Sequence, residues 1–288
     1  MPKRWQKQLR YQLSMCRYHL RQAFFPHVAR KIHDRGFVLR NVGLSDRIDY
    51  DDAWFVALAL RSEVVFDIGA NLGLTALLTT FSSTVRNLVL VDPNPMALSI
   101  AAENFITNHL SAHVHFVCAF VSDHSNETVR LWTVDVGAAG SMYKSHAITA
   151  STLNKSLEAT TTTIDDLCTC YGLIPNLVKI DVEGAEALVV QGSSQCASHN
   201  KTRYLVEVHA NPEISMEENT TRILRWCGEA GYRAWYMKEA FPLENPEPIA
   251  HRGRCHLLLQ PAEWEYPEWL RSIPEKAEIA IALESEKR

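Results

Sequence analysis

The sequence predicts a doubly wound α/β domain on a mostly parallel sheet of seven strands, and three observations carry that prediction. Seven short β-rich runs (64–68, 88–92, 113–119, 177–182, 203–209, 231–237 and 254–259) are separated by helical patterns near 51–60, 72–81, 95–108, 164–171, 184–191 and 216–229. Alternation of that kind argues for strands joined by crossover helices lying on both faces of one sheet. The runs Leu88-Val-Leu-Val91 and Leu177-Val-Lys-Ile180 read as strands covered on both sides. The first run, Val64–Ile68, enters a glycine turn and passes directly into the helical pattern Leu74–Phe81.

The remaining segments are assigned around that frame. Residues 49–261 form the domain, 1–48 a basic N-terminal helical extension, and 262–288 an acidic C-terminal tail or helix. Residues 1–40 hold ten Lys or Arg against Asp34 alone, although the chain as a whole carries a formal net charge of −4. Leu9, Leu13, Leu20 and Phe24 share one helical face there, flanked by Arg10, Arg17 and Arg21. Such a stretch packs on its own domain, binds the acidic body of a partner, touches an anionic membrane surface, or directs transit to an organelle. Between the third and fourth strands lies a β insertion, 124–162, in which Thr128–Val134 alternates like a strand able to pair with a later piece.

Composition bounds the function. The chain has 288 residues, 47 % of them apolar and 22 % charged, as a soluble globular protein of one large domain does. Its most apolar run, Ala53–Leu60, is far too short for a membrane span, and no secretory h-region opens the chain. Seven scattered cysteines suit a reducing compartment, and the expected location is cytoplasmic. Cys168-Thr-Cys170 lacks zinc-knuckle spacing. His109, His113 and His115 are joined by no carboxylate pair, so no metal is expected there; Asp181 and Glu183 could recruit a divalent ion, but the sequence does not demand one.

The turn Asp67-Ile-Gly-Ala-Asn-Leu-Gly73 brings backbone N–H groups and an electropositive helix N-terminus toward an anionic group. Asn71 breaks the dinucleotide pattern of Gly-x-Gly-x-x-Gly and speaks for a ligand with an amino-acid end. Asp92, closing the second strand, stands where a Rossmann-like fold sets a carboxylate against two ribose hydroxyls. It also suits a helix cap, with Pro93 in the first turn.

Four blocks carry a resemblance to the FkbM family of class I S-adenosylmethionine-dependent methyltransferases: Asp67–Gly73, Val91-Asp-Pro-Asn-Pro95, Ala119-Phe-Val-Ser-Asp123 and Lys179-Ile-Asp-Val-Glu-Gly-Ala-Glu186. The resemblance runs from about Asp51 to Gln260, and its last block, preceded by Thr163–Leu167, is the most particular to that family. It implies the class I methyltransferase fold and S-adenosyl-L-methionine as cofactor. Gly69, Asn71 and Gly73 then surround the methionine half, with Asp67 facing its ammonium or merely tying the loop. Thr75 reaches the carboxylate or turns inward. Ala119 lies by adenine, and Asp123 bonds its exocyclic amine or caps a turn.

A hydroxyl acceptor needs help losing its proton, because its pKa lies far above 7. Lys179, Asp181 and Glu183, with Glu186, Glu207 and His209 nearby, gather at the ends of the fourth and fifth strands. They serve either catalysis or a paired structural network. His209 is the preferred base because it titrates near neutral pH, while Asp181 positions the acceptor. The expected function is O-methylation of a hydroxyl on a sugar, glycan or other small molecule. The contrasting reading is a non-catalytic cofactor-fold subunit that docks a partner or membrane through its basic arm. Nucleic acid is not an expected partner, since only the first forty residues are basic. The oligomeric state is not legible.

Overall fold

A computed structural model describes residues 26–44, 49–133, 140–145 and 147–286, with Leu9, Gln12, Leu13 and Cys16. Most of the amphipathic stretch expected before residue 26 lies outside those residues. Within the extension expected to be helical, Leu9, Gln12, Leu13 and Cys16 are helical, whereas its later part is a β-hairpin, β1 (His27–Ile32) and β2 (Arg35–Arg40). The pattern there has a period of two, not 3.6. Phe37 and Leu39 turn inward while Gly36 and Val38 are exposed, and His33 closes the two-residue turn at a φ of 52°.

From residue 51 the chain alternates as expected. In order come α1 (Asp52–Ala59), β3 (Val64–Ile68), β4 (Asn87–Val91), α2 (Pro95–Thr107) and β5 (Val114–Val117). Then comes β6 (Phe120–Val121), and the insertion supplies β7 (Thr128–Trp132), α3 (Ile148–Leu153) and β8 (Ser156–Thr162). There follow α4 (Ile164–Tyr171), β9 (Leu177–Ile180), α5 (Glu186–Gln191), α6 (Ser194–Ser198), β10 (Arg203–His209) and α7 (Met216–Ala230). The chain closes with β11 (Tyr232–Tyr236), β12 (Phe241–Pro242), β13 (Arg254–Pro261), α8 (Glu268–Arg271) and α9 (Ile279–Ser285).

The main sheet has eight strands rather than seven, in the order β12-β11-β13-β10-β9-β3-β4-β5. The extra strand is a two-residue edge piece, too short to announce itself in sequence. β10, β9, β3, β4 and β5 run parallel, and β13 inserts antiparallel between β10 and β11. β3 is flanked by β4 on one side and β9 on the other, so chain order reverses there and a crevice opens at the strands' carboxyl ends. In the insertion β7 pairs antiparallel with β8, as its alternation predicted, and β6 completes a second sheet.

Successive strand residues point to opposite faces, and each face owns a core. Val65, Leu88 and Leu90 join Trp54, Phe55, Leu77 and Phe105 on one side; Phe66, Val89 and Tyr204 join Ile164, Val189 and Trp226 on the other. The C-terminal segment is part of the first core. Tyr266, Leu270, Ile273 and Ala282 pack into it, and the Trp54 indole N–H donates to the Ile273 carbonyl at 2.7 Å. The hairpin is tied to α2, where the Asn104 and Asn108 side-chain oxygens each accept a backbone N–H from β2 at 2.8 Å.

The helix expected over 72–81 forms a 3₁₀ turn at Ala76–Phe81. Thr79 and Thr80 donate their hydroxyls to the carbonyls of Ala76 and Leu77, both at 2.7 Å, tightening that turn from within.

Candidate active site

A cavity of about 810 Å³ opens at the switch point. It is walled by the glycine turn, the ends of β4 and β9, β6, the hairpin strand β1 and the start of α9. Asp67, Gly69, Asn71, Thr75, Asp92, Pro93, Ala119, Lys179, Asp181 and Glu183 all line it. Gly73, Asp123 and His209 are not among the lining residues. Asp123 pairs with His124 at 3.1 Å and accepts the Ser122 hydroxyl at 3.0 Å.

The turn's glycines do a different job from the one expected. Gly69 and Ala70 both donate their N–H to the Val91 carbonyl (2.8 and 3.0 Å), Asn71 donates to Asp92 Oδ2 (2.8 Å), and Gly73 to Ala70 (2.8 Å). Those donors are spent inside the protein and offer no cradle to an anion. Gly69 is glycine because its φ is 86° and because a Cβ would sit 1.9 Å from the Asp181 carbonyl oxygen. The glycine thus makes room for the neighbouring strand's backbone. A valine at 69 would test folding rather than ligand binding.

Asp92 ties the site together. Its Oδ2 holds Asn71 and its Oδ1 accepts the Asn94 N–H at 2.8 Å. The helix cap is Asn94, whose side chain accepts from Met96, with Pro95 in the first turn. Asp92 is therefore free of the capping role, and each carboxylate oxygen keeps a further lone pair for a hydroxyl. Burial pushes its pKa up to about 6, against the pull of those two N–H groups. Asp67 is 1 % exposed, and neither of its carboxylate oxygens has a hydrogen-bond partner. Burial takes it to about 6, with the Lys179 charge opposing. A buried acid without a hydrogen bond, facing a cavity, fits an ammonium group; Asp92 fits paired ribose hydroxyls. The residues present suit S-adenosylmethionine.

Across the cavity, Lys179 Nζ lies 3.2 Å from Asp181 Oδ2 and 3.9 Å from Asp51 Oδ2. Burial alone would raise Asp181, yet the Lys179 charge, then His209, holds it below the usual carboxylate range. Glu183 sits at a φ of 56°, strained for a non-glycine residue, and its carbonyl accepts the Ser141 hydroxyl at 2.8 Å.

His209, expected as the base, does not line the cavity. Its Nδ1 lies 3.0 Å from Glu186 Oε1, and its Nε2 is 3.6 Å from both Glu183 and Glu207. Burial pushes the imidazole down, but the Glu186 hydrogen bond and charge, with Asp181 and Glu183, carry it up to about 10. Those carboxylates favour the protonated ring, and the Glu186 hydrogen bond directs it away from an acceptor in the cavity. Glu186, fully buried, also accepts from Gly184 N–H (2.9 Å) and Asn219 Nδ2 (2.7 Å), so it anchors a structural network.

Sequence reading missed Asp51, Arg254 and His256, which surround Glu207, and Tyr143 and Asn211, which flank Gly184. Only the alternation Arg254-Cys-His256 inside a strand hinted at any of them.

A crevice at the reversal of strand order, a carboxylate closing the second strand and a hydrogen-bond-free acid beneath the turn together define the class I methyltransferase type. Residues 67–234, more than half of the chain, match the family model of the methyltransferase FkbM domain. The chain belongs to that family. No curated protein matches it. Among solved structures it is similar to methyltransferase FkbM from Methylobacillus flagellatus KT (15 % identity, TM-score 0.41, covering 69 % of this chain and 43 % of that one). It is also similar to TYW2 from M. jannaschii in complex with AdoMet (13 %, TM-score 0.42, covering 81 % and 84 %). A third is the SAM-dependent methyltransferase from Agrobacterium tumefaciens (9 %, TM-score 0.44, covering 83 % and 71 %). The chain thus spans under half the length of the M. flagellatus protein.

Proposed function

We propose that this chain methylates a hydroxyl on a sugar, glycan or other small molecule, using S-adenosylmethionine held between Asp67 and Asp92. When bound, the cofactor supplies a methyl group on a positively charged sulfur. Asp67 pairs with its ammonium, and Asp92 accepts from its ribose hydroxyls. The single observation behind the cofactor half of this reading is that both acids are buried, face one cavity and are raised to about 6 by burial.

The acceptor hydroxyl lies against Asp181 and Glu183. Glu183 would take the acceptor's proton as the oxygen receives the methyl group and the neutral thioether leaves. Asp181, braced by Lys179, orients the oxygen in line. Alignment and exclusion of water carry most of the acceleration, because the leaving thioether is neutral. The two buried acids that face the cavity, one of them without a hydrogen bond, speak against the non-catalytic subunit.

Titration calorimetry with S-adenosylhomocysteine tests the cofactor half. Asp92→Ala is expected to weaken binding at least tenfold; equal affinity in the variant would remove Asp92 from the site. Turnover on a hydroxylated glycan panel with labelled methyl donor tests the acceptor half, and transfer to nitrogen alone would refute it.

A further inference from the structure

One polar cluster takes no part in the chemistry above. Asp51 at the head of α1, Glu207 in β10 and His256 in β13 converge behind the cavity floor, one ligand atom from each lying within 4.8 Å of the others. Glu207 and His256 are direct cross-strand partners. The three residues are only 3 %, 3 % and 2 % exposed. Neither ring nitrogen of His256 has a hydrogen-bond partner, nor does Asp51 Oδ2. The nearest approach, His256 Nε2 to Glu207 Oε2 at 3.7 Å, is too long for a hydrogen bond.

A histidine rarely stays buried with both nitrogens unmatched. Ligands each about 2.0–2.2 Å from one ion stand roughly 3–4 Å apart; His256 Nε2 and Glu207 Oε2 are 3.7 Å apart, and all three ligand atoms lie within 4.8 Å of one another. The surroundings leave the position open. Arg254 Nη1 takes Glu207 Oε1 at 2.7 Å, while Oε2 faces His256; Lys179 Nζ is closer to Asp181 than to Asp51. The Trp54 ring, 5.6 Å from the imidazole between centroids, shields one side from solvent.

We propose that Asp51, Glu207 and His256 bind one first-row divalent cation that pins the start of α1 to the sheet. One imidazole with two carboxylates suits manganese, iron or zinc better than the all-oxygen shells of magnesium and calcium. The ion neutralises two buried carboxylates and occupies the idle ring nitrogen.

The full chain, stripped with chelator, is titrated with MnCl2 by calorimetry. ZnCl2 serves as a second probe, since the free cysteines offer zinc other places to bind. One equivalent of Mn2+ is expected, with Tm raised by the metal. Asp51→Asn and His256→Gln should each lose at least tenfold in affinity and lose the Tm gain. S-adenosylhomocysteine binding in the same variants reports that they fold and keeps this outcome separate from the cofactor reading; should His256→Gln fail to fold, Asp51→Asn decides. No saturable Mn2+ binding overturns the proposal. So does binding unchanged in both variants but lost in Asp181→Asn, which would move the ion to the adjoining Asp181–Glu207–His209 group.

Discussion

Asp67 and Asp92 share one cavity and carry different obligations: the first has no hydrogen bond, while the second holds two backbone N–H groups. Both rise from 3.8 to about 6 on burial, so the folded chain binds more protons than the unfolded chain between those values. Their contribution to stability is therefore present at low pH and falls as pH rises through about 6. Ligand binding runs the other way, because an ammonium needs the ionised acid. Affinity for S-adenosylhomocysteine is expected to improve from pH 5 to 7.5 and then level off, with Asp67→Asn flattening part of the rise. Calorimetry across that range checks it, and a flat wild-type profile would detach Asp67 from the ammonium. His209 teaches the converse lesson. A histidine among four acids is a cation, and its sequence neighbours Glu207 and Val208 do not reveal Glu186, which sits 23 positions earlier and bonds its ring.

At the scale of elements, the last helices carry more than their acidic composition suggested. Leu270 is fully buried in the core beside Trp54, and Arg61 of the turn after α1 donates to the Ser285 carbonyl at 2.8 Å. Leu270→Ala is expected to lower the unfolding free energy by about 2–5 kcal/mol, as other buried leucine truncations do. Urea titration measures this, and a loss well under 1 kcal/mol would mean that the segment only rests on the surface. The hairpin belongs to the same lesson. Its alternation is present in the sequence, but residues 27–40 fall in the basic extension expected to be helical, whose amphipathic face, Leu9, Leu13, Leu20 and Phe24, lies before the hairpin. In the described part, Phe37 and Leu39 bury against α2 and its neighbours, and the charged residues are exposed or half-buried.

For the whole molecule, the sheet order places the cavity where β3 separates two runs of strands, at the edge of a sheet that carries a core on each face. A ligand bound there couples to global stability. At a hundredfold excess over Kd, S-adenosylhomocysteine should add about 2.7 kcal/mol. For a chain of this size that corresponds to a Tm rise of about 4–5 °C. Thermal scans with and without the compound measure it, and an unchanged Tm at saturation would argue that the cavity does not bind it. Among the described residues no helix is long and apolar enough to cross a membrane.

The strands and most helices were legible because their signals are local: apolar runs, helical spacing, and turns marked by glycine or proline. The acid at the end of β4 was legible for the same reason, since its place depends only on the strand before it. Contacts between distant parts of the chain were not. Nothing in Asp51 foretells His256, and nothing in Gly69 foretells the Asp181 carbonyl that forbids it a side chain. Charge states, cavity walls and the eighth strand arise from distances that exist only once the sheet is assembled.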